Sequence, residues 1–562
     1  MPEVAPAVPV DEEQALDRAE GGEAVGVPGV RGVVRGVMKA VARPVVVREA
    51  LGLGRDLTRV LVGAHDIAPS PKDKRFADPA WRDNPGYRRL GQGYLLLGEA
   101  LTRLVDDLEA RGADWHDVER ARFAMNVLVS ALAPTNTVLG NPAALKRAFD
   151  TAGASLVRGA RNFVADVRHN GGMPAQTDRS AFTVGEDLAV TPGAVVHRDA
   201  FAEVIQYAPS TPTVRARPLL VVPPPIGRFY FLDLRPGRSF VEYAASRGMQ
   251  VFLLSWRNPT AEQAGWSLDD YARRVVSALD VVTEVAEAPA ADVLGFCAGG
   301  IITSTVLSHL AVTGDPRVAS AAFAVTLLDF DSRAPLGAFS SPRLLDLAAG
   351  RSRRGGVITA QSLSSVFSWM RPDDLVFPYV VNNWLLGQDP PVFDILAWNA
   401  DGTNLPACLH AQFLDLFREN LLCRGEVEVL GTRVDLSRIA VPTFVTGAVN
   451  DHLTPWTGCY RTTQLLSGPT TFVLSNAGHI ASLVNPPGNP KATYWTDGDL
   501  GPDPQAWLAT ATRRTGSWWE AWVDWELAQS GDQRPAPQRL GNDRLPPLEP
   551  APGSYVRDRV PG

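Results

Sequence analysis

The chain has 562 residues, 45% of them hydrophobic, and its 54 Lys and Arg against 61 Asp and Glu give a formal net charge of −7. That is enough apolar material for one large domain and one or two smaller regions. The acidic balance, without a basic patch interleaved with aromatics, argues against nucleic-acid binding, and four cysteines (Cys297, Cys408, Cys423, Cys459) without a C-x-x-C pair or an H-E-x-x-H segment exclude a disulfide framework and a zinc site.

Residues 1–27 are rich in Pro, Ala, Val, Gly and Glu with little periodicity, so disorder is expected. In residues 30–43 basic side chains recur near helical spacing between Val and Met. That is the pattern of an amphipathic helix with one wet face, or of one lying on an apolar or anionic surface. Residues 1–70 are thus expected to form an extension and residues 71–180 a helical domain. Apolar residues at i, i+3, i+4 spacing predict helices over 87–112 and 114–132, and Gly171-Gly172-Met173-Pro174 breaks the pattern before a boundary near 178–185. From there to residue 562 strands and helices alternate. Strands are predicted at 219–222, 249–255, 292–296, 320–329, 443–447 and 471–474, and helices at 267–286 and 300–311. This predicts an α/β fold, a mostly parallel sheet with helices on both faces. The aromatic-rich stretch 330–436 interrupts the alternation, where an inserted cap is expected. No apolar run approaches the roughly 20 residues that span a bilayer, and the N-terminus lacks a signal pattern, so a cytoplasmic protein is expected.

The chemistry is carried by Gly295-Phe296-Cys297-Ala298-Gly299-Gly300. A short apolar strand runs into it and a small-residue helix leaves it, the strand–turn–helix context of a nucleophile elbow with cysteine in the serine position. The helix N-terminus favours a thiolate there. A thiol nucleophile needs a base, and the base an orienting acid. Asp451 and His479 follow late strands in that chain order, at the carboxyl edge of the sheet where open α/β folds place their sites; Asp329 is a rival acid. The oxyanion donors are expected to be the backbone N–H of Ala298 and one from the Pro225-Ile226-Gly227 loop, with Ile226 the candidate. No cofactor or metal is required.

Several segments together resemble the polyhydroxyalkanoate synthases: the cysteine-bearing lipase-like box at 295–300, Pro224-Pro225-Ile226-Gly227-Arg228-Phe229-Tyr230, Ser255-Trp256-Arg257-Asn258-Pro259, the cap segment from Asn383 through Trp398-Asn399, Gly478-His479 through Pro487, and Leu540-Gly541-Asn542. The likeness runs from about residue 71 to 556. It implies an α/β-hydrolase fold with a large cap, of the self-sufficient kind with a long N-terminal region. It also implies an acyltransferase that polymerises (R)-3-hydroxyacyl-coenzyme A, with Cys297 as nucleophile, His479 as base, and Asp451 either orienting His479 or activating the incoming hydroxyl. His452, Arg371 and Trp398 become candidate substrate contacts, and a homodimer at a polyester granule surface is implied. The rival readings are a Cys-elbow α/β hydrolase or thioesterase, which lacks the need for so long a cap, and a non-catalytic granule-surface protein.

Overall fold

The computed structural model describes residues 43–331 and 342–558. The expected disordered stretch 1–27 and nearly all of the amphipathic segment 30–43 lie outside the described residues. The chain divides into two units: residues 1–176 with 365–390, and residues 177–364 with 391–562. Part of the stretch between the fourth and fifth parallel strands along the chain is therefore grouped with the N-terminal helices.

The first unit is helical. Asn84 accepts from the N–H groups of Gly86 and Tyr87 and, with Pro85 at the first position, starts the helix Pro85–Ala110. Asp114 caps Trp115–Ala131 in the same way, and Asn141 caps Pro142–Asp150. Leu104, Val105 and Leu108 of the long helix close on Val118, Ala121 and Met125 of the next, and Val45 of the helix Arg43–Leu61 joins them.

The helix Ala154–His169 is built differently. Its inner side is polar and small. Trp384 Nε1 donates to Asp166 Oδ2 at 2.7 Å, and Asn162 Nδ2 donates to the carbonyls of Asn383 and Gln388, both at 3.1 Å. At Gly159 the two backbones meet: an added Cβ would stand 1.9 Å from the Trp384 carbonyl oxygen.

The second unit holds an 11-stranded sheet. In chain order its strands are β1 (Gly193–Arg198), β2 (Ala202–Tyr207), β3 (Pro218–Val222), β4 (Gln250–Trp256), β5 (Ala291–Phe296), β6 (Val318–Ala324), β7 (Thr443–Ala448), β8 (Thr470–Ser475), β9 (Thr493–Thr496), β10 (Thr512–Thr515) and β11 (Glu549–Pro550). Their spatial order is β10-β9-β8-β7-β6-β5-β3-β4-β2-β1-β11. The six strands from β4 to β8 in that order are parallel, and those outside them antiparallel. Both faces of β5 are buried, as a continuously apolar strand requires. The helix Leu268–Val285, opened by the Ser267/Asp270 capping box that the sequence predicts, and the helix Ala298–Thr313 cover one face. Trp518, Trp519 and Trp522 cover the other. This is the predicted α/β-hydrolase architecture. The six predicted strands are the parallel ones, and the antiparallel β1, β2, β9, β10 and β11 lie outside the predicted set; of the six, β6 ends at Ala324 rather than 329, because Val325 takes a left-handed φ of 45° that no strand continues through.

Replacing Gly159 by alanine is expected to destabilise the full chain by about 1–3 kcal/mol through overpacking, although alanine is the better helix former by about 1 kcal/mol. Chemical denaturation checks this, and an unchanged or raised stability would refute the close approach.

Candidate active site

Cys297 follows β5 and precedes the helix Ala298–Thr313, with φ 48° and ψ −121°. A residue with a Cβ resists that conformation, so the surroundings must hold it. Its N–H donates to the Ala324 carbonyl at 2.9 Å, and its carbonyl accepts from the Gly300 N–H at 2.9 Å. The neighbouring glycines explain themselves by proximity. An added Cβ would stand 2.6 Å from the Gly300 Cα at Gly295, 2.3 Å from the Val222 carbonyl oxygen at Gly299, and 2.1 Å from Thr326 Oγ1 at Gly300. Only glycine lets β3, β5 and the helix converge at this corner.

The loop after β3 is pinned by its oxygens. Trp256 Nε1 donates to the Pro223 carbonyl, and Thr403 Oγ1 donates to that of Pro225 while accepting from the Gly227 N–H at 2.8 Å. Pro223, Pro224 and Pro225 have no N–H, and that of Gly227 is engaged. Any backbone donor that residues 223–227 aim at a reacting group is therefore Ile226. On the other side of the elbow, Ala298 opens its helix, where the N–H lies outside the helical ladder.

The structure brings His479 and Asp451 together. The His479 Nδ1 and Asp451 Oδ2 lie 2.6 Å apart, both side chains buried. Asp451 Oδ1 accepts from the N–H groups of Leu453 (2.8 Å) and Thr454 (2.9 Å), and Oδ2 also accepts from the Thr454 hydroxyl at 2.7 Å. Burial opposes charge on this carboxyl, yet His479 and these bonds hold it below its ordinary range. Burial likewise opposes charge on His479, but the Asp451 carboxylate and then Cys297 outweigh it and push the imidazole up to about 10. The rival acid is engaged elsewhere: Asp329 pairs with Arg461 at 2.9 Å and accepts from Asn420.

The other candidates are dispersed. Trp398 is buried against Phe231, donates through Nε1 to the Arg228 carbonyl at 2.7 Å and leans on Gly227, shaping the loop that carries Ile226. His452 is half-buried beside Asp451. Arg371 is exposed in the first unit and pairs with Asp374. The three remaining thiols, Cys408, Cys423 and the fully buried Cys459, are all pushed above the ordinary thiol range by burial. Thr454 and Thr403 were not singled out by sequence. Asp451-x-x-Thr454 is a turn-type spacing that signals the first, whereas nothing local signals the second. Among the described residues no cluster of His, Cys, Asp and Glu could hold a metal ion.

Comparison with known proteins decides the family. The model described as the N-terminus of poly-beta-hydroxybutyrate polymerase matches residues 72–244, and that of the alpha/beta hydrolase fold matches residues 233–486. Poly(3-hydroxyalkanoate) polymerase 2 of Ectopseudomonas oleovorans is 45% identical over 91% of this chain and 90% of its own. Polymerase 1 of the same organism is 43% identical over 90% of each. The polymerase subunit PhaC of Cupriavidus necator is 42% identical over 87% of this chain and 83% of its own. The chain belongs to the poly(3-hydroxyalkanoate) polymerase family. It is accordingly an acyltransferase.

Because His479 holds its proton more tightly folded than unfolded, its pairing contributes fully below the ordinary imidazole value of 6.5 and is lost as pH rises to about 10. Asp451, depressed in the fold, contributes above its ordinary value and loses that share as pH falls through the depressed one. Calorimetry across alkaline pH is expected to show a falling thermal midpoint in the wild type and a flatter one in His479→Gln. Parallel curves would show that the pair is not charged in this way.

Proposed function

We propose that the chain polymerises (R)-3-hydroxyacyl-coenzyme A into polyester through an acyl-enzyme on Cys297, releasing coenzyme A. The observation that carries this reading is the thiol at a strained elbow together with an imidazole whose Nδ1 is bound by a buried carboxylate and whose hold on its proton that carboxylate, and then Cys297, strengthens. His479 takes the Cys297 proton, and the thiolate attacks the thioester carbonyl. The Ala298 and Ile226 N–H groups receive the developing oxyanion. The carbon–sulfur bond to coenzyme A breaks, and His479 returns a proton to the leaving thiolate. One thioester replaces another, so the exchange is near balance. The hydroxyl of a hydroxyacyl unit then loses its proton to His479 and attacks the acyl group, forming the ester and freeing the Cys297 thiolate.

Asp451 orients His479 rather than acting as a base. A carboxylate offers about four acceptor positions, and Leu453, both groups of Thr454, and His479 occupy them. A depressed carboxylate is also a poor proton acceptor. His479 therefore serves both half-reactions, and no resident cofactor is needed. The family reading extends to a homodimer working at the surface of cytoplasmic polyester granules.

With 3-hydroxybutyryl- or 3-hydroxyoctanoyl-coenzyme A, the purified protein is expected to release thiol and deposit insoluble polyester. Thiol release with free acid alone would make it a hydrolase. Cys297→Ala is expected to abolish polymer, and polymer from that variant would overturn the reading. His479→Gln is expected to slow thiol release about 10²–10⁴-fold, and an unchanged rate at neutral pH would remove it from the mechanism. Iodoacetamide is expected to alkylate Cys297 ahead of the three burial-suppressed thiols, read by peptide mass mapping; prior labelling of Cys408, Cys423 or Cys459 would contradict the assignment.

A further inference from the structure

The helix Ala154–His169 is inside out. Ser155, Gly159, Asn162 and Asp166 recur at i, i+4, i+7, i+11 and form its buried or half-buried stripe. Val157, Arg161, Val164 and Arg168 recur with the same spacing on the opposite stripe, and all four are exposed. A helix folded onto a core turns its apolar residues inward. Here the inner stripe is fixed by the hydrogen bonds and close approach to residues 383–388, so the helix is not free to rotate its valines away from water.

The outward surface is itself divided. Ala160, Val167 and Phe163, whose ring also stands edge-on to Trp384, extend the exposed stripe on one flank, and His169 and Arg158, whose Nε donates to the Gly387 carbonyl at 3.2 Å, on the other. The helix's single carboxylate, Asp166, faces inward, leaving the outer surface of this helix without an acid, though the preceding helix ends on exposed Asp150. The preceding helix Pro142–Asp150, which packs against it, adds exposed Leu145 and Phe149, the latter 87% exposed. Single exposed apolar residues are ordinary, but a contiguous set backed by a fixed polar interior marks an interaction surface.

We propose that this face of the first unit docks on an anionic lipid surface, the apolar flank entering the acyl boundary and Arg161, Arg168 and His169 meeting phosphate headgroups. Charge selects this occupant. A second copy presenting the same face would bring these basic side chains against their like, and a neutral polymer surface gives the arginines no counter-charge. The proposal does not depend on the reaction assigned to Cys297.

The test is co-sedimentation of the full chain with vesicles of phosphatidylcholine, and of phosphatidylcholine mixed with phosphatidylglycerol, at low and high salt. The chain is expected to pellet with the mixed vesicles only, and less so at high salt. The double variants Phe149→Asp/Val164→Asp and Arg161→Glu/Arg168→Glu are each expected to bind about tenfold more weakly, with thiol release from a soluble thioester substrate unchanged. The wild-type response to phosphatidylglycerol content needs no variant, so a misfolded variant leaves the proposal open to refutation. Failure to pellet with anionic vesicles, equal pelleting with neutral ones, salt-insensitive binding, or undiminished binding by both variants would overturn it. Loss of vesicle binding in favour of self-association or of an acidic protein partner would do the same.

Discussion

The site depends on one steric arrangement: Cys297 held at a left-handed φ of 48° where β3, β5 and the following helix meet. No residue with a side chain takes up that backbone freely. The conformation persists because Gly295, Gly299 and Gly300 leave room for nothing but backbone, and because the Ala324 carbonyl binds the Cys297 N–H. The result is a sulfur lifted off the end of the sheet at a helix N-terminus.

Around that sulfur, charge is set by pairing. Asp451 is buried, which opposes ionisation, and it stays ionised because the charge of His479, then its hydrogen bond and those of Thr454, outweigh that cost. Its charge then fixes His479, and His479 is coupled to Cys297. Thr454 has a double part in this. Its backbone and hydroxyl both bind the carboxylate, and its oxygen lies 3.2 Å from His479 Nδ1.

The elements legible in the sequence are those set by local rules. The Gly295-x-Cys297-x-Gly299-Gly300 spacing encodes a corner that admits glycine alone, the 267–270 capping box encodes a helix start, and apolar runs encode the central strands. The end of β6 was not legible, because the left-handed Val325 is imposed by its surroundings, not by valine. Trp398 reads alike as a substrate contact or as a wall of the oxyanion-side loop, since an aromatic looks the same in either place. Thr403 is 176 residues from the Gly227 N–H it holds, and no local pattern joins them. Residues 154–169 fall within the region expected to be helical, but periodicity does not say which stripe of a helix meets the protein. That choice rests on Trp384 and its neighbours, more than 200 residues further along the chain.

The same distance governs how the molecule can be made. The first unit takes in residues 365–390, so Asp166, Asn162 and Gly159 have no finished groove to close on until that segment has left the ribosome. By then most of the parallel strands have already been synthesised. Vectorial synthesis normally lets an N-terminal region mature first. Here its completion is postponed to the point where the nascent polypeptide has emerged past residue 390, and a fragment ending at residue 176 would lack part of its own interior.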